Sequence, residues 1–193
     1  MNKNATYDSV IFGANGQDGY FMARYLLKKN KKILAVIRSK NIKIQNLKDK
    51  YKNHIKILII KNFSVKNYKI IFKNKKFKKI YFFAGYSKIP STKIEKKKCI
   101  TGNYLIFKNF LYTCLDLKIK SKNLYLSSGE IFGSNQKFKK KENNIMKSDN
   151  CYSECKIKSL KLTEEFRNKY NFFISNAICY NHESIFTPKN HII

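Results

Sequence analysis

Apolar runs of strand length recur along the chain at residues 9–12, 33–37, 55–60, 79–83, 123–127 and 172–177, and most are separated by longer segments whose apolar positions recur at helical spacing. Residues Tyr20 to Leu27 show that spacing directly after the first run. Ile100, Tyr104, Phe107, Leu111 and Leu115 fall on one helical stripe, and residues 152–170 carry another helix-length pattern with lysine and glutamate interleaved. Strands alternating with helices predict an α/β fold: a doubly wound, mostly parallel sheet with helices on both faces, because parallel neighbours need right-handed crossovers. Ligands of such sheets bind beyond the carboxyl ends of the strands. The Lys-rich stretches 73–76 and 137–141 read as solvated loops or helix ends, the second bridging a strand end to the helix near Cys151. No internal repeat or interdomain linker interrupts the pattern.

Between the first strand and the first helix the chain reads Gly13-Ala-Asn-Gly-Gln-Asp-Gly19, which places three of its seven glycines in seven positions. A strand turning sharply into a helix uses the first glycine for the turn, a middle one to let a phosphate approach, and the last for close packing of helix on strand. The free N–H groups at the helix start then suit a pyrophosphate. The simpler reading is a tight turn that holds nothing.

Composition narrows the function classes. The 193 residues suffice for one domain with a real core, and no uninterrupted apolar segment approaches the roughly 20 residues of a membrane span. The N-terminal residues lack the apolar stretch of a signal peptide, so a cytoplasmic location with reduced cysteines is expected. The formal net charge of +29 suggests a polyanion partner, yet only Arg24, Arg38 and Arg167 are arginines among 41 basic residues. The lysines are spread over the whole chain beside abundant asparagine and isoleucine, a bias that A/T-rich codons produce. No module gathers basic and base-reading groups on one face, so no specific nucleic-acid partner is expected. Cys99, Cys114, Cys151, Cys155 and Cys179 show no paired C-x-x-C spacing. They read as buried or partly buried thiols, and no metal site is expected.

Tyr152 and Lys156 stand four apart on the last long helix, hence on one face. A nearby cation favours a phenolate, which makes such a pair a candidate base near neutral pH. In a chain with 13 tyrosines and this many lysines the spacing also arises by chance. Position argues for chemistry: the pair follows a strand ending in Ser127-Ser128, and Ser128 is placed to share a substrate hydroxyl with Tyr152. After the second strand, where a dinucleotide site selective for a free ribose diol carries Asp or Glu, stand Arg38, Ser39 and Lys40, a set suited to a 2′-phosphate.

Taken in order, Gly-x-x-Gly-x-x-Gly after the first strand, Ser-Ser-Gly-Glu-Ile-Phe-Gly at 127–133, Tyr-x-x-x-Lys at 152–156 and Asn-His-Glu-Ser at 181–184 resemble the extended short-chain dehydrogenase/reductases, and within them the GDP-mannose 4,6-dehydratase branch of the NAD-dependent epimerase/dehydratase family. The resemblance covers nearly the whole chain and implies a Rossmann-type fold. It implies that Gly13, Asn15, Gly16, Gln17, Asp18 and Gly19 form the pyrophosphate loop of an NADP site, with Arg38, Asn62, Ala84, Tyr152 and Lys156 as further cofactor contacts. Tyr152 then takes the C4 hydroxyl proton as hydride leaves C4, Lys156 holds the ribose and Ser128 partners the hydroxyl. Glu130 removes the C5 proton before water leaves C6. Ser87 and Asn181 are implied substrate contacts, and Asn103 belongs to the active-site network.

Three positions depart from the family pattern: Phe82 and Ile106 stand where asparagine and glycine are customary, and Lys88 replaces a histidine. In the family, the portion that grips the nucleotide of the sugar lies mostly beyond the position matching Ile193. Residues 1–193 are therefore expected to be the NADP-binding domain without the C-terminal substrate portion. The expected activity is dehydration of a GDP-mannose-like nucleotide sugar, as a homodimer joined through the helices near 101–117 and 152–170, with a separate C-terminal fragment as a further candidate partner. The alternative is a noncatalytic NADP-binding domain, or an epimerase or reductase relative.

Overall fold

Strands β1 (Ala5–Phe12), β2 (Ile33–Ile37), β3 (Ile55–Ile59), β4 (Lys75–Phe82), β5 (Lys122–Ser128) and β6 (Ile174–Cys179) form one sheet in the order β3-β2-β1-β4-β5-β6. The structure is a computed structural model describing residues 5–133 and 140–187. The pairings β1 with β2, β2 with β3, β1 with β4 and β4 with β5 are all parallel. Helices α1 (Gln17–Lys28), α2 (Ile42–Lys50), α3 (Val65–Phe72), α4 (Lys93–Ile100), α5 (Ile106–Asp116) and α6 (Cys151–Tyr170) fill the connections, and a π-helical turn, Thr101–Leu105, joins α4 to α5. This is the doubly wound α/β fold that the alternation predicts. Among the described residues no helix is long and apolar enough to cross a membrane.

Two compact units make up the fold, one from Met1–Ala84 with Asn109–Tyr125, the other from Gly85–Lys108 with Leu126–Ile193. In the first, strand alternation sends successive side chains to opposite faces of the sheet. Ile11, Ile33, Ala35 and Ile37 pack against Leu26 and Leu27 of α1 and Ile44 and Leu47 of α2. On the other face Phe12 meets Phe82, Tyr68, Phe72 and Phe110 at ring-centroid distances of 5.4–6.3 Å. Such aromatic pairs add about 0.5–1.5 kcal/mol each beyond area burial. Phe82, which departs from the family's asparagine, is thus a core residue, 1% exposed.

In the second unit Ile131, Phe132 and Leu160 form a small core with Ile157 and Ile178. Asn171, in the left-handed region at φ 49°, ends α6. The Phe172 N–H returns to the Phe166 carbonyl at 3.2 Å, and the two rings pack edge to face.

Several predicted boundaries shift for identifiable reasons. Lys75 and Lys76, expected in a loop, open β4: their backbones pair with Ala5 and Thr6, while the Lys75 ammonium donates to the Lys73 carbonyl at 3.1 Å, at the C-terminus of α3. The sixth strand starts at Ile174 rather than 172 because Phe172 serves the end of α6. The stripe predicted on Ile100, Tyr104 and Phe107 breaks because the π-helical turn shifts the register. Ile100 is exposed and Tyr104 half-buried, and the buried positions run through Asn103, Phe107, Phe110, Leu111 and Cys114. Of the basic stretch 137–141, residues 137–139 lie outside the described residues.

Candidate functional site

In the first unit the glycine loop leaves the carboxyl end of β1 with Gly13 at φ +80°, a conformation that disfavours any side chain. The Gly13 and Ala14 N–H groups donate to the Val36 carbonyl of β2 at 3.0 and 3.3 Å, fixing the loop over the strand ends. A Cβ on Gly13 would come within 2.7 Å of the Ala84 backbone nitrogen, and one on Gly19 would collide with the Gly13 carbonyl oxygen. Gly16 differs. A Cβ there would meet only the Gly13 carbonyl oxygen, at 3.4 Å, so its outer side is open.

Gly16 is also the N-cap of α1, and no side chain caps that helix. By contrast Asn41, Ser64, Thr92 and Asn150 cap α2, α3, α4 and α6 with side-chain oxygens. An uncapped helix start reached through a glycine with an open side fits a phosphate-bearing ligand. Asn15, Gln17 and Asp18 lie partly buried in the same loop, and Ala84 follows β4. Arg38 is exposed just past β2, the strand whose Val36 carbonyl anchors the loop. Asn62 is exposed past β3, where its side-chain oxygen and carbonyl both accept from Asn67 Nδ2, at 2.8 and 2.9 Å, so it also braces α3.

In the second unit the start of α6 is fixed by a reciprocal cap. Asn150 Oδ1 accepts from the Ser153 N–H at 2.9 Å, and Ser153 Oγ accepts from the Asn150 N–H at 3.2 Å. This sets Tyr152 on the first turn, half-buried, and Lys156 one turn later, 6% exposed. The Lys156 Nζ donates to the Leu126 carbonyl of β5 at 3.0 Å and lies 5.6 Å from the Tyr152 ring centroid. Burial pulls the Lys156 pKa down, opposed by neighbouring Tyr152 and by Cys99, Cys155 and Cys179.

Ser128 ends β5 and opens a 3-10 turn, Gly129–Phe132, accepting from the Glu130 N–H at 3.3 Å through its Oγ. The turn is held against α6 by Ile131 and Phe132 on Leu160 and Ile157. A Cβ on Gly129 would come within 2.8 Å of the Tyr180 ring. Glu130 is therefore a half-buried carboxylate between two buried residues on an anchored turn. Ser128, Glu130, Tyr152 and Lys156 thus sit on two mutually packed elements of one unit.

Asn103, buried on the π-helical turn, organises the loop after β4. Its Oδ1 accepts from the Tyr86 N–H at 3.1 Å, and its Nδ2 donates to the Tyr86 carbonyl at 2.9 Å. A Cβ on Gly85 would lie 2.9 Å from Asn103 Oδ1, so that glycine is what lets the loop pass. Ser87 and Lys88 follow in the loop, exposed, and Asn181 is exposed after β6. Gly85 and Tyr86 carry no sequence signal of their own.

The six-stranded doubly wound sheet, with the glycine loop at the carboxyl end of its first strand, defines a Rossmann-like α/β fold. The family model described as GDP-mannose 4,6 dehydratase matches residues 10–193, and the chain belongs to that family. It is 28% identical, over 191 residues, to the GDP-mannose 4,6 dehydratase of Cricetulus griseus, covering 91% of this chain and 50% of that protein. The chain thus spans about half the length of the curated relatives it matches. Among solved structures, the UDP-Glc/GlcNAc 4-epimerase from Campylobacter jejuni has a TM-score of 0.79 at 20% identity, over 91% of this chain and 53% of its own. The dTDP-glucose 4,6-dehydratase from Streptomyces venezuelae, solved with NAD bound, has a TM-score of 0.77 at 12% identity, over 87% and 54%. These two likenesses establish the fold.

Proposed function

We propose that this chain carries the dinucleotide-binding and proton-transfer groups of a nucleotide-sugar 4,6-dehydratase, one that converts GDP-mannose to GDP-4-keto-6-deoxymannose. The observation that carries the reading is Glu130, a half-buried carboxylate on a turn packed against the helix that bears Tyr152 and Lys156. An oxidoreductase that only moved a hydride at C4 needs no such group; removal of water across C5 and C6 does. The bound dinucleotide supplies hydride acceptance from C4 and its return to C6, which leaves the overall reaction redox-neutral.

The chain's residues do the rest. Tyr152 accepts the C4 hydroxyl proton, with Ser128 as hydrogen-bond partner of the same oxygen. The Lys156 ammonium, held by the Leu126 carbonyl, supplies positive charge beside the Tyr152 ring and a donor for a ribose hydroxyl. Once C4 is a ketone the C5 proton is acidic, and Glu130 removes it and delivers a proton to the C6 hydroxyl, which leaves as water. Ser87 and Asn181 contact the sugar nucleotide. Gly13, Gly16 and Gly19 give the pyrophosphate its bare backbone, and Arg38 past β2 favours the 2′-phosphate of NADP. The open cradle and the NAD held by the Streptomyces venezuelae dehydratase support a nicotinamide dinucleotide.

The test is incubation with NADP and a panel of GDP- and UDP-sugars in deuterated water. A 4-keto-6-deoxy product from GDP-mannose, with deuterium at C5, is the expected result when a candidate C-terminal fragment is supplied, the chain alone turning over poorly or not at all. Glu130→Gln is expected to abolish both product and C5 exchange while transient NADPH still forms. Full turnover by that variant would overturn the dehydratase reading.

A further inference from the structure

Three of the five cysteines meet at one point. The sulfurs of Cys99 on α4 and of Cys151 and Cys155 on α6 all lie within 4.8 Å of one another. Cys99 and Cys155 are buried and Cys151 half-buried, and all three belong to the second unit. A core cysteine ordinarily packs its sulfur among carbons. Here each of the three sulfurs has the other two as close neighbours. Asn103 Nδ2 adds a donor to Cys99 Sγ at 3.4 Å.

We propose that Cys99, Cys151 and Cys155 form a three-thiolate site for a thiophilic divalent cation of the zinc type. Tetrahedral Zn–S bonds of about 2.3 Å set sulfurs about 3.8 Å apart, a spacing the cluster reaches within its present span. A disulfide uses two sulfurs and strands the third, whereas a cation uses all three. The ligand pattern is also mechanically coherent. Cys151 and Cys155 are one turn apart on α6 behind the Asn150–Ser153 cap, so two ligands are preset, and α4 brings the third. Binding replaces three S–H protons, released to solvent, by three S–metal bonds. The product carries one net negative charge, and the buried Lys156 ammonium follows Cys155 directly on α6. Three protein ligands leave a fourth position for water. This inference is independent of the dehydratase reading.

The experiment uses the full chain, fully reduced and metal-free. Titration with Co2+ is expected to give a thiolate-to-cobalt charge-transfer band saturating at one ion per chain, which Zn2+ then removes. Changes to groups around a metal's ligands already cost about 10–100-fold in affinity; loss of a ligand in Cys151→Ser, at a half-buried position that tolerates the change, is expected to cost at least about 100-fold. Cys179→Ser, outside the cluster, is expected to leave the titration unchanged. In the unmodified chain, Zn2+ is expected to slow alkylation of Cys151 while Cys179 reacts at its former rate. Absence of stoichiometric Co2+ binding by the reduced chain, a band insensitive to Cys151→Ser, or equal protection of Cys179 would each overturn the proposal.

Discussion

Lys156 is a buried cation whose Nζ donates to the Leu126 carbonyl. Burial lowers its pKa in the folded chain, so the unfolded chain binds more protons over the window between the lowered value and the ordinary 10.5. Its contribution to stability is least at neutral pH and grows as pH rises through that window. Lys156→Met keeps the volume and loses the charge. Urea titrations of both proteins are expected to show the difference in unfolding free energy moving in the unmodified chain's favour between pH 7 and 10, the other buried thiols and phenols cancelling; a flat difference would refute the account. The same substitution is expected to abolish turnover. Arg38 makes a second residue-level prediction. Arg38→Ala is expected to weaken NADP binding by roughly tenfold or more while leaving NAD affinity nearly unchanged, because it removes one charge-assisted phosphate contact worth about 1.5–3 kcal/mol. Isothermal titration of both dinucleotides decides it. The residues of the proposed site could be nominated from the sequence because their motifs are local: the glycine loop, Ser128-x-Glu130 and Tyr152-x-x-x-Lys156 each lie within one turn or loop. The thiol cluster could not, since Cys99 and Cys151 are joined only by the packing of α4 on α6.

At the level of elements, the alternation of apolar runs was enough to predict all six strands and the two-faced arrangement of helices, because burial on both sides leaves nearly continuous apolar strands. It misread the places where polar residues have a structural duty. Lys75 and Lys76 look like a loop by composition but continue β4, since a strand needs only backbone partners at its ends. The π-helical turn at Thr101–Leu105 has no compositional mark, yet it puts Asn103 inward, where both amide atoms serve the Tyr86 backbone. The cap of α6 matters in the same way. Asn150 and Ser153 fix the first turn on which Tyr152 stands, so Asn150→Ala is expected to destabilise the protein by about 1 kcal/mol. It is also expected to lower kcat more than it raises KM, because a frayed first turn misplaces Tyr152 without removing it. Thermal unfolding and steady-state kinetics on the purified variant check both parts, and an unchanged melting temperature would show that Ser153 and Ser148 hold the turn unaided.

For the whole molecule the dominant quantity is a formal charge of +29 on 193 residues, with only 12 acidic side chains to offset 41 basic ones. Ion pairs such as Lys69–Asp116, Lys78–Asp8 and Lys158–Glu154 involve substantially exposed groups. Pairs of this kind contribute about 0–1 kcal/mol each, so screening them costs little. Repulsion among the lysines is spread over the surface and opposes compaction. Its range is about 30 Å at 0.01 M salt and about 8 Å at 0.15 M, so salt shortens it from the scale of the molecule to that of near neighbours. Unlike most proteins stabilised by surface ion pairs, this chain is therefore expected to gain stability with ionic strength, its melting temperature rising by several degrees between about 0.01 and 0.15 M potassium chloride. Because the glycine cradle is itself a candidate anion site, the scan is repeated with sulfate at matched ionic strength. An equal rise in both salts marks general screening, and a larger rise in sulfate adds binding at the cradle. A melting temperature that falls with potassium chloride would mean that surface ion pairs outweigh the lysine repulsion.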